Sequence, residues 1–289
     1  MNIRYEIYDY QDNDTNNKVV SLYKKVFHTK FNKLGYFFEE NPFGKPIGVL
    51  AVNENKEVIG HFATMATEAF TNSKIIKGRI SMGFMVEEDY QGHSIAKNLA
   101  NILLAEVSKD EQCNYVIGFP NDNSLYMHKK YMGYTHIRDY YMVKIENLGY
   151  DQNKSAFKVV SNIPTEKSRP QLNIINHSSK MMNWRYQGPS YEKYCDDKDN
   201  YFICNRYRNS IQILYWSPTV TKDELVNFAG FLYSINNIES VRTWNSFDWL
   251  NCFEKEEREF HFTVNTLNKD FDMDLAGKWC FFPGDCELF

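Results

Sequence analysis

The sequence predicts an α+β (mixed α/β) chain, and three observations carry that reading. Over residues 1–145, short alternating or apolar runs that suit strands are interleaved with stretches of helical period, in the order β-α-α-β-β-β-α-β-α-β. At residues 82–99 an apolar strand passes through Glu87-Glu88-Asp89 and Gln91-Gly92-His93-Ser94 and re-emerges as an amphipathic helix, with Ile95, Leu99, Ile102, Leu103 and Val107 on one face. Beyond residue 200 the middle of that element order returns, although the residues themselves do not repeat.

Each element has its own signal. Ile3, Tyr5 and Ile7 alternate with Arg4 and Glu6 as a first strand. Asp14 or Thr15 then starts a helix whose stripe is Val19, Leu22, Tyr23, Val26 and Phe27. Phe31, Leu34 and Phe38 predict a second helical piece that stops at Asn41-Pro42, because the residue before a proline is pushed out of the α region. Residues 47–52, 58–69 and 75–86 predict three antiparallel strands, turned at Asn53-Glu54-Asn55-Lys56 and Thr71-Asn72-Ser73. Residues 115–119 suit a short buried strand, 123–132 a helix stopped by Gly133, and 134–145 another strand. The polar run at 147–154 marks a boundary, which gives domains 1–150 and 151–289. In the second, residues 201–208 and 211–216 flank Asn209-Ser210 as a hairpin. Thr221-x-x-Glu224 is a capping box opening a helix with Leu225, Phe228, Ala229 and Leu232 inward. Strands at 240–243, 259–264 and 279–282 and a helical stretch at 247–253 complete the chain.

Composition narrows the function. At 289 residues, with 43% hydrophobic and 16% aromatic residues, the chain can fill a core and is not a disordered segment. A formal charge of −4 and the lack of a long basic run disfavour a nucleic-acid partner. With no apolar leader region and no run of 18 apolar residues, the expectation is a cytoplasmic chain with no membrane partner. Cysteines 113, 195, 204, 252, 280 and 286 form no Cys-x-x-Cys pair, so free structural thiols and no metal site are expected.

Gly92-His93-Ser94 lies just ahead of a helix start, where unpaired N–H groups and the helix dipole favour a phosphate. Gly92 lets a ligand approach the backbone and Ser94 suits an N-cap. The physics describes a pyrophosphate cradle at a strand-to-helix turn. The same residues, Val86 and then Gln91-Gly92-His93-Ser94-Ile95-Ala96, resemble motif A of the GNAT acyltransferases, Gln/Arg-x-x-Gly-x-Gly/Ala, with Ser94 where the family usually has glycine. Phe119-Pro120-Asn121-Asp122-Asn123-Ser124 with Met132-Gly133-Tyr134 resembles motif B, in which an asparagine opens a helix that Gly-Phe/Tyr closes. The element order over the first 145 residues is the GNAT order too. Trp184-Arg185-Tyr186 and Pro283-Gly284-Asp285 resemble short signatures of long bacterial members.

The resemblance implies a GNAT fold, a central, mostly antiparallel sheet flanked by helices, followed by a second, degenerate GNAT-like α/β domain that contributes to the acceptor site. It implies an acyl-CoA, acetyl-CoA foremost, as co-substrate. The loop amides of Gln91, Gly92, His93, Ser94, Ile95 and Ala96 would hold its pyrophosphate, and Phe84, Met85 and Val86 its pantetheine arm, with Asn121 and Asn123 joining the cofactor set. A Met85 or Val86 amide would polarise the thioester carbonyl. The family's acid is a tyrosine four residues before the closing glycine. That position is Lys129 here, which leaves Tyr126 and His128, then Tyr131, as candidates. Glu68, Glu39 or Glu40 would take the amine proton, and the terminus Glu287-Leu288-Phe289 would offer a further carboxylate. The implied reaction is direct attack of a small amine, such as an amino sugar, on the thioester by a monomer or homodimer. A non-catalytic coenzyme A-binding module and an aminoacyl-tRNA-dependent transferase of tandem-GNAT type remain the alternatives.

Overall fold

Strands joined by short turns, with one right-sized crossover helix in each half, organise the computed structural model of this chain. It describes residues 2–28, 41–71, 74–163, 173–175, 178–267 and 279–286. The helical piece expected at 31–38, Glu39, Glu40 and the terminus 287–289 lie outside the described residues. Two compact units emerge. The first takes the described residues up to Ala69, Ile75–Arg138 and those from His261 to Leu267. The second takes Phe70, Thr71 and Lys74, then Asp139–Phe260, then residues 279–286. The polar run at 147–154 therefore lies inside the second unit, and the chain changes unit at Arg138/Asp139 and again at Phe260/His261.

In the first unit, β1 (Arg4–Ile7) pairs antiparallel with β2 (Ile47–Val52), and β2 with β3 (Val58–Thr71). Next in order come β4 (Lys74–Val86) and β5 (Cys113–Gly118), which run parallel with Lys77 opposite Cys113 and Ile80 opposite Ile117. A parallel pair needs a crossover, and α2 (Ile95–Val107) supplies it. Helix α1 (Asn13–Phe27) begins slightly before its expected start, because Asp12 caps it by accepting from the Asp14 amide and the Thr15 hydroxyl. Of the stripe read from α2, Ile95, Leu99, Leu103 and Val107 are buried and Ile102 is half-buried, while Ala100, outside the stripe, is buried with them against Val49, Ala51, Ile59, Phe62 and Val116 of the sheet. Each such fully buried aliphatic side chain contributes about 1.5–3 kcal/mol. Helix α3 (Asp122–Tyr131) is opened by Asn121, whose side-chain oxygen accepts from the Ser124 amide at 3.0 Å. After β6 (Thr135–Ile145) the chain has entered the second unit.

There, the strands β7 (Lys158–Val159) and β8 (Asn173–Ile175) and helix α4 (Ser179–Arg185) precede an antiparallel run of β9 (Tyr191–Cys195), β10 (Tyr201–Tyr207) and β11 (Ser210–Trp216). The hairpin turn falls at Arg208-Asn209, one residue earlier than expected, with Arg208 at φ 54°. Helix α5 (Lys222–Ile235) then crosses to β12 (Ser240–Trp244), parallel to β11. The sequence β9-β10-β11-α5-β12 therefore has the strand senses of β2-β3-β4-α2-β5. A 3₁₀ turn (Asp248–Cys252), β13 (Glu254–Thr266) and β14 (Trp279–Cys280) follow. Over its last residues, within the first unit, β13 pairs antiparallel with β5, Thr263 opposite Gly118. Of the six cysteines, all are free and only Cys252 is exposed.

The two short signatures of the second unit meet. Arg185 donates from Nε to the Gly284 carbonyl at 2.7 Å and from Nη2 to the Cys286 carbonyl at 3.2 Å. Gly284 is packed so closely that a Cβ on it would lie 1.9 Å from the Tyr186 hydroxyl and 3.1 Å from the Leu214 carbonyl oxygen. Adding that methyl forces a buried aromatic side chain to move, an overpacking that costs about 1–3 kcal/mol. Gly284→Ala is expected to lower the stability of the second unit by that amount in urea unfolding. Tyr186→Phe in the same chain, which removes the clashing oxygen, is expected to restore part of the loss; an additive double variant would contradict the packing.

Candidate active site

The two crossovers share a topology and differ at the strand-to-helix turn. In the first unit, Gly92 stands at φ 82° and Ser94 at φ 61°. Ser94 occupies the N-cap position of α2 in the left-handed region, and its side chain makes no capping hydrogen bond. The sequence expectation of Ser94 as a capping side chain is thereby corrected. The left-handed backbone favours glycine, and it turns the hydroxyl away from the amides it would cap. The first helical amide to be paired is that of Asn98, which donates to the Ser94 carbonyl at 3.0 Å. The amides of Ile95, Ala96 and Lys97 are thus left to the end of the helix, where they carry its positive pole. Gln91 steadies the approach, its Nε2 donating to the Val86 carbonyl at 3.2 Å.

The second crossover is closed by its own side chains. The Thr221 hydroxyl accepts from the Glu224 amide at 3.3 Å, and Glu224 Oε2 accepts from the Thr221 amide at 2.8 Å. The Ser217 amide donates to the Tyr201 carbonyl at 2.9 Å, and the Ser217 hydroxyl accepts at 2.9 Å from the Tyr201 amide. A carboxylate already sits where an anion would approach α5.

A cavity of about 600 Å³ opens at the first turn. Its wall brings together Phe84, Met85, Val86, Gln91, Gly92, Ser94, Ile95 and Ala96 with Asn121, Asn123 and Tyr131. It also contains residues that sequence reasoning did not select, among them Val26, Phe27, Tyr90, Lys97, Ser124 and Met127. A partial signal existed for Lys97 alone, a cation in the first turn of the motif A helix. Val26 and Phe27 arrive through tertiary structure, with an ion pair between Lys25 and Glu87 tying the end of α1 to the exit of β4. Tyr90 is held by Asn53, whose Nδ2 donates to its hydroxyl at 3.0 Å.

The remaining candidates lie elsewhere. His93 is exposed and outside the cavity wall, and Glu68 is a half-buried residue of β3, also outside it. Tyr126 is exposed and accepts from Lys130, whose ammonium draws its phenol below the usual value. Its ring meets Tyr131 edge-on at 6.0 Å, and the Lys97 and Lys130 ammoniums lie 5.5 and 5.3 Å from the centre of the Tyr131 ring. His128 is buried away from the cavity. The Thr263 hydroxyl spends its one proton on the Gly118 carbonyl at 3.1 Å, so His128 Nδ1 donates to Thr263 Oγ1 at 3.0 Å. Burial pulls its imidazole down to about 4. At neutral pH it holds no extra proton to give to a thiolate, which corrects its first rank as the acid.

A second buried histidine shapes the strand on the cavity wall. Gly83 breaks the run of β4 with φ 60°, three residues after the last β5 partner at Ile80. Its carbonyl accepts from His61 Nδ1 at 2.6 Å, which fixes the proton on Nδ1. His61 is fully buried, and burial lowers it to about 4. In the unfolded chain a histidine binds its proton near pH 6.5. Between pH 6.5 and about 4 the unfolded state therefore takes up protons that folded His61 and His128 refuse, so stability falls as pH is lowered through that window. His61→Asn, which keeps an N–H close to the place of Nδ1, is expected to flatten this slope in urea unfolding followed against pH. His61→Leu also removes the hydrogen bond to the Gly83 carbonyl and is expected to cost about 0.5–1.5 kcal/mol at pH 7. Equal stability of the Leu and Asn chains at pH 7 would show that the hydrogen bond is idle.

No curated protein sequence matches this chain. Solved structures do. A GCN5-related N-acetyltransferase from Anabaena variabilis superposes with a TM-score of 0.66 at 14% identity, over 92% of this chain and 73% of that one. An acetyltransferase from Pyrococcus horikoshii gives 0.61 at 11% identity, over 96% and 94%. A glucosamine N-acetyltransferase region of a fungal multi-domain β-N-acetylglucosaminidase gives 0.60 at 12%, over 91% of this chain and 38% of that one. At such identities the likeness is one of fold. The profile of the acetyltransferase (GNAT) family matches residues 4–134. Residues 4–134 of the chain are therefore a GNAT acetyltransferase domain.

Proposed function

We propose that the chain transfers an acyl group, acetyl foremost, from an acyl-CoA to the amine of a small molecule such as an amino sugar, by direct attack of the amine on the thioester. The observation that carries the reading is the unspent first turn of α2 behind Gly92 and Ser94, opening on a cavity of about 600 Å³. Amides that their own helix cannot use, at its positive pole, suit a pyrophosphate. Lys97, on the same wall, adds a charge of the right sign. The edge of β4 from Phe84 to Val86 would take the pantetheine arm, and a Met85 or Val86 amide would stabilise the oxyanion as the amine adds. Tyr131 is the candidate acid on the wall, with the Lys97 and Lys130 ammoniums 5.5 and 5.3 Å from the centre of its ring. As the tetrahedral adduct collapses, the carbon–sulfur bond breaks, the phenol gives its proton to the leaving thiolate, and the proton lost by the attacking nitrogen passes to solvent water. An amino-sugar acceptor is supported only by the fungal relative of this fold.

Turnover of acetyl-CoA against a panel of small amines, with Gly92→Glu as the paired variant, tests the reading. The wild-type chain is expected to release coenzyme A with at least one amine. The substitution puts a carboxylate beside the pyrophosphate, and no protein atom lies within 4 Å of the added Cβ to resist it. The left-handed φ disfavours any side chain there, so folding is checked alongside. Calorimetry is expected to show coenzyme A affinity reduced about a hundredfold or more, about 2.7 kcal/mol or more. An unchanged affinity would remove the turn from consideration.

A further inference from the structure

A second cavity of about 250 Å³ lies in the first unit, with Lys45, Thr67, Lys77, Arg79, Asp110 and Cys113 among its lining residues. It is distinct from the site above. Arg79 precedes Met85 by six residues along β4, about 20 Å of extended chain, and the two cavities share no lining residue.

Its central feature is a buried arginine held by neutral groups. Arg79 is 5% exposed. Its Nε donates to the Thr64 hydroxyl at 2.8 Å and its Nη2 to the Lys45 carbonyl. Among the described residues no carboxylate oxygen lies within 4 Å of the guanidinium. The other titratable groups around it compensate only from a distance. Burial pushes the Cys113 thiol up to about 11 and the Tyr10 phenol well above its usual value, so both are neutral at pH 7. Among the described residues of the wall Asp110 is the one acid; it is exposed, and its charge favours the guanidinium without reaching it. Two further cations, Lys45 and Lys77, stand on the same wall, Lys77 donating to Gln112 Oε1 at 2.6 Å. A guanidinium cannot shed its charge, and a buried ion without a counter-ion is among the costliest arrangements in a protein.

We propose that this cavity is a binding site for a small oxyanion, a phosphate or carboxylate group seated on Arg79 and flanked by Lys45 and Lys77. The group supplies, at contact distance, a counter-charge that no carboxylate among the described residues gives, and the planar guanidinium suits either anion. The site stands independently of the acyl-CoA reading.

Inorganic phosphate and succinate are the probes, titrated at constant ionic strength by calorimetry and by thermal unfolding. The titrations use the full chain carrying Gly92→Glu, so that phosphate at the α2 turn does not contribute. Saturable binding of at least one probe is expected. Arg79→Gln is expected to weaken it about tenfold or more. Because Arg79 is buried and that variant can lose its fold, the exposed pair Lys45→Gln/Lys77→Gln is measured as well and is expected to weaken binding about three- to tenfold. Asp110→Asn, which removes the repelling carboxylate, is expected to tighten it. Binding of neither probe, or an affinity indifferent to both the lysine pair and Asp110→Asn, would overturn the site. Preference for phosphate or for succinate identifies the chemistry of the natural ligand.

Discussion

The cavity wall of the acetyltransferase domain depends on the hydrogen bond from His61 to the carbonyl of Gly83. β4 and β5 are parallel, and β5 ends at Gly118, so β4 runs on alone beyond their ladder. Here the register stops at Ile80 opposite Ile117, and Gly83 then takes a left-handed turn that other residues resist. A carbonyl displaced by such a turn needs a donor inside the protein, since buried backbone groups are rarely left unpaired. A fully buried imidazole on β3 provides it. The irregular end of β4 that follows, Phe84 to Val86, is the part that faces the cavity.

From that constraint the contrast between the two halves follows. Both use an antiparallel run, a crossover helix and a parallel partner. At the first crossover a left-handed serine keeps its hydroxyl away from the helix end and leaves the amides unspent. At the second, a capping box pairs the Thr221 and Glu224 amides and adds a carboxylate from Glu224, itself paired with Lys198 at 2.8 Å. The worth of the capping box is stability, about 0.5–2 kcal/mol for a good N-cap. The open turn forgoes that contribution and keeps a place for an anion. One topology therefore yields a stabilised helix end in one unit and a receptive one in the other.

Much of this was legible in the sequence, for identifiable reasons. Helical period placed the buried face of α2, and Thr221-x-x-Glu224 announced the cap of α5, because both signals are local. Of the motif A residues, Gln91, Gly92, Ser94, Ile95 and Ala96 line the cavity, and they stand out in the sequence because a glycine-containing strand-to-helix turn has few uses. Long-range pairings were not legible. Nothing near Thr263 announces that it lies opposite Gly118, or that its hydroxyl receives the proton of His128. His128 looked like a titrating group beside a catalytic helix, and burial makes it a structural one. Ser94 read as a cap by residue type, and only its φ angle reveals otherwise. Val26, Phe27 and Tyr90 reach the cavity by tertiary folding, which composition and period do not encode.

In the proposed function the first turn of α2 and the end of β4 hold the acyl-CoA. The most direct measurement is the change in backbone amide resonances of isotope-labelled protein on titration with coenzyme A. The largest shifts are expected at residues 92–97, beside the pyrophosphate, and at residues 84–86, along the pantetheine arm. Shifts centred instead on residues 217–224, or no saturable change at all, would contradict it.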